Sequence, residues 1–135
     1  RLIFPGGPAI LLFDYYDEDE SGATYNSGII FQSAQSHRHS SEKFIKFIPG
    51  AYDTLVEIVD SDWVMELREM NKEIADYWDI RHYAIILDSN GIYEFIARDY
   101  DILDTKEGRL SKVMNFELEM TYDKEKGRRK WIMKN

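Results

Sequence analysis

Residues 61–98 constrain the fold most strongly, because two different structural patterns follow one another there. Apolar residues first recur at steps of four and three, which is the spacing of one face of an α-helix. Two apolar runs then flank an Asp-Ser-Asn-Gly turn, which predicts a β-hairpin. The chain therefore has to pack a helix against an antiparallel pair of strands.

The helix is predicted over residues 63–77. Ser61 and Asp62 come just before it, and their short side chains can accept hydrogen bonds from the free N–H groups of the first turn. Asn71 is the weakest position, where a break into two pieces is left open, while residues 63–77 are expected to lie as a single lid against the sheet. The apolar stripe, which we expect to face a sheet, consists of Trp63, Leu67, Met70, Ile74 and Tyr77.

The hairpin is predicted to have a three-residue loop over residues 89–91, with Gly91 closing a type I turn as a bulge. This register pairs Leu87 with Tyr93 and makes one face wholly apolar. The other face then carries a polar group in which His82 lies opposite Arg98, with Glu94 on the same strand as Arg98. An imidazole, a carboxylate and an arginine can form an acid–base pair with an anion-binding arginine, or can simply satisfy one another. These three residues are the candidate catalytic site.

Composition limits the class of protein. The 135 residues fit one domain spanning residues 1–135, and 44% hydrophobic content is enough for a real core. The chain has no cysteine, which excludes disulfides and thiolate metal sites. No signal-peptide or membrane-spanning pattern is visible, so a cytoplasmic location is expected, although the start at Arg1 leaves open a preceding segment.

The pattern of strands and helix favours an α+β fold. Runs such as residues 9–16 and 114–122 are typical of strands, and strands and helices do not alternate along the chain. We expect a mostly antiparallel, curved sheet of about seven strands, with one main helix packed on one face.

Two patterns suggest metal ions. His37 and His39 form an H-x-H which, in an extended segment, puts both rings on one side, where His82 is a candidate third ligand for zinc or iron. The alternative is a serine-rich surface loop. Residues 17, 19, 21 and 22 match a calcium loop, but its twelfth position is Gly28 instead of glutamate, which favours a solvated hairpin tip. No cofactor is predicted beyond this divalent metal.

Charge indicates the kind of partner. The net charge is −8, which opposes binding to a phosphate backbone, and the basic cluster at residues 126–130 is expected to be a solvated hairpin end. Trp63 and Trp78 are expected to anchor the helix in the core. If either is exposed beside Tyr77, the three residues instead mark a partner-binding patch.

Two functional hypotheses follow. The first is a small, acidic, non-enzymatic interaction module that binds a basic protein, as an inhibitor or immunity-type protein would. The alternative is a small enzyme or ligand-binding domain with a polar or metal site near His82. The known sequence motifs for phosphate loops, nucleophile elbows and zinc proteases are missing, which favours the first. The oligomeric state is left open.

Overall fold

A computed structural model describes residues 1–16, 22–44, 48–88, 90–110 and 117–134. The chain divides into two compact units, one formed by Arg1–Gln32 with Tyr100–Asn135 and the other by Ser33–Asp99. The single domain expected for residues 1–135 stays a prediction. The calcium-loop positions 17, 19 and 21 lie outside the described residues.

Strands dominate the described residues, with one α-helix and two short 3-10 helices at Glu42–Phe44 and Ala75–Tyr77. In this part of the chain, no helix has the length and apolar character needed to cross a bilayer. The elements are β1 (Leu2–Ile3), β2 (Ala9–Tyr16), β3 (Thr24–Gln32), β4 (Ser36–Ser40), β5 (Val56–Ile58), α1 (Asp62–Met70), β6 (Arg81–Leu87), β7 (Gly91–Ala97), β8 (Asp99–Ile102), β9 (Lys106–Glu107), β10 (Glu117–Asp123) and β11 (Arg128–Lys134).

The strands form several sheets rather than one. Within the described residues, one sheet has the order β1-β2-β3-β8 with β9 also paired to β3, a second is β10-β11, and a third is β4-β7-β6-β5. The expectation of one curved sheet of about seven strands was therefore wrong, while a mostly antiparallel α+β fold is confirmed in broad terms. The described residues contain eleven strands rather than about seven. Pairing between segments that are distant in sequence decides how the strands divide into sheets, and strand patterns along the chain do not show that pairing.

Each unit has its own apolar cluster. In the first unit, Ile10, Leu12 and Ile30 are buried, with partly buried Leu103 and Trp131 among the side chains packed on them. In the second unit, the cluster lies on one face of the β5–β6–β7 sheet. Its members are Ala51, Ala84, Ile86 and Ile92, with Ile48, Val56 and Ile58 packed against them.

The hairpin β6–β7 forms as predicted, but its register is two residues away from the predicted one. Leu87 pairs with Gly91 and Ile85 pairs with Tyr93, so Gly91 begins the strand instead of closing the turn. A shift of two residues keeps every side chain on its predicted face, because the side-chain period of a strand is two. The polar residues of the hairpin therefore still share one face.

The helix ends at Asn71, the position that the sequence marked as its weakest. Asn71 is the C-cap of α1 with φ −144° and ψ 66°, and the following residues turn into the 3-10 helix Ala75–Tyr77. The expectation of one continuous apolar stripe lying against the sheet was wrong, because Met70, Ile74 and Tyr77 are exposed. Ile74 and Tyr77 come after the break, whereas Met70 is exposed on the last turn of α1 itself.

We predict that Gly91→Ala lowers the free energy of unfolding much more than Gly50→Ala, as measured by urea denaturation. Both glycines have positive φ, +94° and +78°, which costs an alanine about 1–2 kcal/mol. At Gly91, an added Cβ would also overlap the carbonyl oxygen of Ser40, whereas at Gly50 it meets nothing within 4 Å. The overlap should add about 1–3 kcal/mol. Equal losses in the two variants would contradict this account of the register.

Candidate functional site

Ser61 connects the start of α1 to the sheet beneath it. It is the N-cap residue of the helix, with extended backbone, and its Oγ accepts a hydrogen bond from the backbone N–H of Val64 at 3.2 Å. The residue before it, Asp60, has φ +54°, an uncommon conformation for a residue other than glycine. Capping satisfies one of the free N–H groups of the first turn and fixes where the hydroxyl lies.

His82 lies between Ser61 and Glu94. Its Nδ1 is 2.6 Å from the Oγ of Ser61, and its Nε2 is 2.9 Å from Oε1 of Glu94. His82 pairs with Ile96 and Ala84 pairs with Glu94, so the imidazole and the carboxylate are diagonal neighbours on one face of the hairpin. Both side chains are buried, at 5% and 7% residue exposure.

Arg38 completes the group from the edge strand β4, directly opposite Glu94. Its Nε donates to Oε2 of Glu94 at 2.7 Å and its Nη2 donates to Oε1 at 3.1 Å, which is a bidentate pair. The guanidinium also lies over the ring of Trp63, 4.0 Å from the ring centroid. The Trp63 ring in turn meets His82 edge-on, with a centroid separation of 5.2 Å. We call Arg38, Ser61, Trp63, His82 and Glu94 the polar network.

The protons of the polar network can be assigned from its charges. An ionised Glu94 can only accept, so Nε2 of His82 must donate to it. In the neutral ring, Nδ1 then has to accept, so the hydroxyl of Ser61 donates to it while its oxygen accepts from the Val64 N–H. Every buried polar atom named here then has a partner, which is what stabilises such a group in a protein interior.

Glu94 remains ionised although it is buried. Burial alone would raise its pKa, but the hydrogen bonds from His82 and Arg38 and the charge of Arg38 outweigh burial and lower the pKa to about 2. The carboxylate is therefore the fixed anion to which both strands are attached.

The structure brings together only part of the predicted polar trio. His82 and Glu94 are in hydrogen-bond contact, but Arg98 instead forms an ion pair with Asp99, Nε to Oδ1 at 3.2 Å. The two-residue register shift moves Arg98 away from its predicted place opposite His82, and Arg38 supplies the guanidinium. Alternation along the Ser-His-Arg-His-Ser strand separates Arg38 from its flanking histidines, but the pattern does not show that this strand pairs with the one carrying Glu94.

The three histidines do not converge. His37 and His39 pair with Phe95 and Tyr93, so they lie on the face opposite to His82, and the ring of His39 is 4.4 Å from that of Tyr93. Within the described ranges, no group of three histidine or acidic side chains is arranged to hold a metal ion. His82 therefore does not serve as a third ligand, and a metal at His37 and His39 alone stays a prediction.

Residues 59–79 present the second notable feature, which we call the acidic–apolar surface. Large apolar side chains are exposed there, namely Val59, Met65, Met70, Ile74, Tyr77 and Trp78. Seven acidic residues are exposed among them, against one exposed basic residue, Lys72. The acidic residues are Asp60, Asp62, Glu66, Glu69, Glu73, Asp76 and Asp79. Trp78 is thus exposed beside Tyr77, which is the condition stated above for a partner-binding patch, while Trp63 is half-buried in the polar network.

Arg68 holds the two parts of this surface together. From the last turn of α1, its Nη1 donates to the backbone oxygen of Ala75 at 2.8 Å and its Nη2 donates to that of Trp78 at 3.4 Å. The 3-10 helix after the break is thereby fixed to α1, and with it the backbone that carries Tyr77 and Trp78. The exposed rings project from an ordered turn.

We predict that Glu94→Gln lowers the free energy of unfolding at pH 7 by about 1–3 kcal/mol, because Arg38 loses its buried anion. The folded-state pKa lies below the ordinary 4.5, so the stabilisation is complete above pH 4.5 and is lost as the pH falls towards 2. The difference in free energy of unfolding between the unmodified protein and Glu94→Gln, measured by urea denaturation, should therefore disappear as the pH falls from 4.5 towards 2. The control is Glu57→Gln, which removes an exposed carboxylate 3.8 Å from Arg81. It should leave the dependence of the unfolding free energy on pH below 4.5 unchanged.

Comparison with known proteins gives no relative for this chain. No protein-family model matches it, and no curated protein and no solved structure matches it. Its function has to be inferred from the polar network and the acidic–apolar surface.

Proposed function

We propose that the chain is a protein-interaction module that binds a basic partner through the acidic–apolar surface. The observation that carries this proposal is the mixture of exposed large apolar side chains and exposed carboxylates over residues 59–79. Methionine and aromatic side chains are enriched in the buried centres of protein interfaces, and carboxylates at the rim select a basic partner. Together they supply both the contact area and the charge.

The apolar part supplies contact energy. Exposed apolar residues are common singly, but grouped ones indicate an interaction site. Tyr77 is 85% exposed and Trp78 is 45% exposed, and they are adjacent in the chain. The Arg68 hydrogen bonds order their backbone before binding, so less conformational entropy is lost when a partner covers them.

The acidic part supplies selectivity and speed. The surface carries seven of the chain's 25 acidic residues and two of its 17 basic ones, so it concentrates the net charge of −8. Such a field accelerates encounter with a positively charged surface and repels acidic proteins. A protein that binds nucleic acid has a positively charged surface of its own, and it would fit the acidic–apolar surface. The form of module we propose is therefore an inhibitor or immunity-type protein that blocks such a partner.

The proposal is tested by titrating the protein with a basic amphipathic helical peptide and measuring Kd by calorimetry at low and physiological salt. We expect binding that weakens as salt rises, since exposed charges are screened over about 8–10 Å. Three neutralising substitutions on the acidic–apolar surface should weaken binding about tenfold or more. They are Glu66→Gln, Glu73→Gln and Asp76→Asn.

The matched control removes the same number of charges from exposed positions of the other unit. It combines Glu107→Gln, Glu119→Gln and Glu125→Gln. If this control weakened binding as much as the surface variant, only the net charge would matter and the proposed surface would be wrong. Absence of binding by the unmodified protein would overturn the proposal itself.

A small enzyme is the second candidate, and one observation favours it. Ser61, His82 and Glu94 are hydrogen-bonded in the order hydroxyl, imidazole and carboxylate, which is the connectivity of a nucleophile, its base and the group that orients the base. Two facts weigh against it. The Ser61 oxygen already caps α1 in a residue that is only 6% exposed, and Arg38 neutralises the charge of Glu94.

The enzyme candidate predicts that a fluorophosphonate probe adds to the protein and that the adduct maps to Ser61 by mass spectrometry. Labelling should disappear in Ser61→Asn, which keeps a good N-cap side chain but has no hydroxyl. Unmodified protein after long exposure to the probe, with Ser61→Asn still folded by circular dichroism, would reject this candidate.

A further inference from the structure

We infer that the basic partner engages the acidic–apolar surface with arginine rather than lysine, its guanidinium lying on the exposed rings of Tyr77 and Trp78. This inference rests on the proposed function and specifies the chemistry of the partner. It starts from how the molecule holds an arginine of its own.

Arg38 shows the combination that satisfies a guanidinium in this protein. Its edge donates to a carboxylate in two hydrogen bonds of 2.7 and 3.1 Å, and its flat face lies 4.0 Å from the centroid of an indole ring. The two contacts use different parts of the group, the N–H edge and the π face, so they can be made together. An ammonium group lacks the flat face and the fork of donors, so lysine cannot reproduce the pair of contacts.

The acidic–apolar surface offers the same two components, an aromatic ring and a carboxylate. Among the contacts of the described residues, no arginine of this chain is stacked on the rings of Tyr77 or Trp78. Tyr77 and Trp78 are exposed aromatic residues, and Asp76 and Asp79 flank them in sequence with exposed carboxylates. Asp79 already forms an ion pair with a guanidinium, its Oδ1 lying 3.5 Å from Nε of Arg81. Two rings and two carboxylates therefore lie within four consecutive residues.

The backbone of these four residues is held in place before a partner arrives. Trp78 N–H donates to the oxygen of Ala75 and Tyr77 N–H donates to that of Ile74, while Arg68 binds the oxygens of Ala75 and Trp78. A stacked guanidinium needs a ring in a defined place, because the attraction depends on its position over the ring face. The fixed turn sets the backbone from which each ring projects, whereas the other carboxylates act at longer range and do not distinguish the two cations.

The test uses two synthetic helical peptides that are identical except that every basic residue is arginine in one and lysine in the other. Kd is measured for both by calorimetry at physiological salt, with tryptophan fluorescence as a second readout. We expect the arginine peptide to bind about tenfold more tightly, the scale set by one or two cation–π contacts. Equal Kd values would overturn the inference and leave the docking proposal standing, whereas failure of both peptides to bind would remove both.

Variants then locate the preference. Combining Tyr77→Ala with Trp78→Leu should abolish the arginine preference and leave the weaker, salt-dependent binding of the lysine peptide. Tyr122→Ala, which removes an exposed ring from the other unit, should leave both Kd values unchanged. Circular dichroism checks that each variant is folded. An arginine preference that survives the double substitution would overturn the assignment to these two rings.

Discussion

The buried carboxylate of Glu94 is the constraint on which the Ser33–Asp99 unit depends. Arg38 attaches the edge strand to it, and His82 attaches the neighbouring strand and, through Ser61, the start of the helix. A buried ion pair of this kind adds little net stability compared with apolar residues of the same volume, but removing one partner leaves a buried charge uncompensated. Arrangements of strands and helix that leave this carboxylate unpaired are therefore strongly disfavoured. Its main effect is on which fold forms, and its effect on the net stability of the unit is smaller.

A polar attachment of the helix has a consequence for its other faces. No residue of α1 is fully buried, and Trp63, Val64, Leu67 and Arg68 are only half-buried. Since polar contacts hold the helix on the sheet, it needs to bury less of its apolar surface there. Its methionines and the aromatic residues that follow it remain exposed to solvent. The carboxylates among them keep such a surface from associating with other copies of itself, since like charges repel. In this view, the polar network and the acidic–apolar surface are two parts of one arrangement.

The sequence predicted elements more reliably than it predicted their partners. The helix start at Ser61 and the hairpin around the Asp-Ser-Asn-Gly turn follow from local preferences, and both were found. The register was two residues away because a contact distant in sequence, the carbonyl of Ser40, requires glycine within the strand. For the same reason Arg38 was missed, since only pairing of β4 with β7 brings it to Glu94. The local pattern left open whether the three histidines meet, and alternation along the strands separates them.

The way α1 is held also sets the order in which the unit comes apart. Polar contacts at its first turn and the reach of Arg68 retain it, while the sheet beneath is closed by buried aliphatic side chains. Local opening takes the path that exposes the least apolar surface, so the helix should detach while the strands remain paired. Amide hydrogens of residues 62–70 would then exchange with solvent sooner than those of β6 and β7. A partner that covers the helix would slow this exchange, because the helix could no longer detach. Binding would then be detected as protection of the amide hydrogens of α1, the part of the unit that is least protected in the free protein.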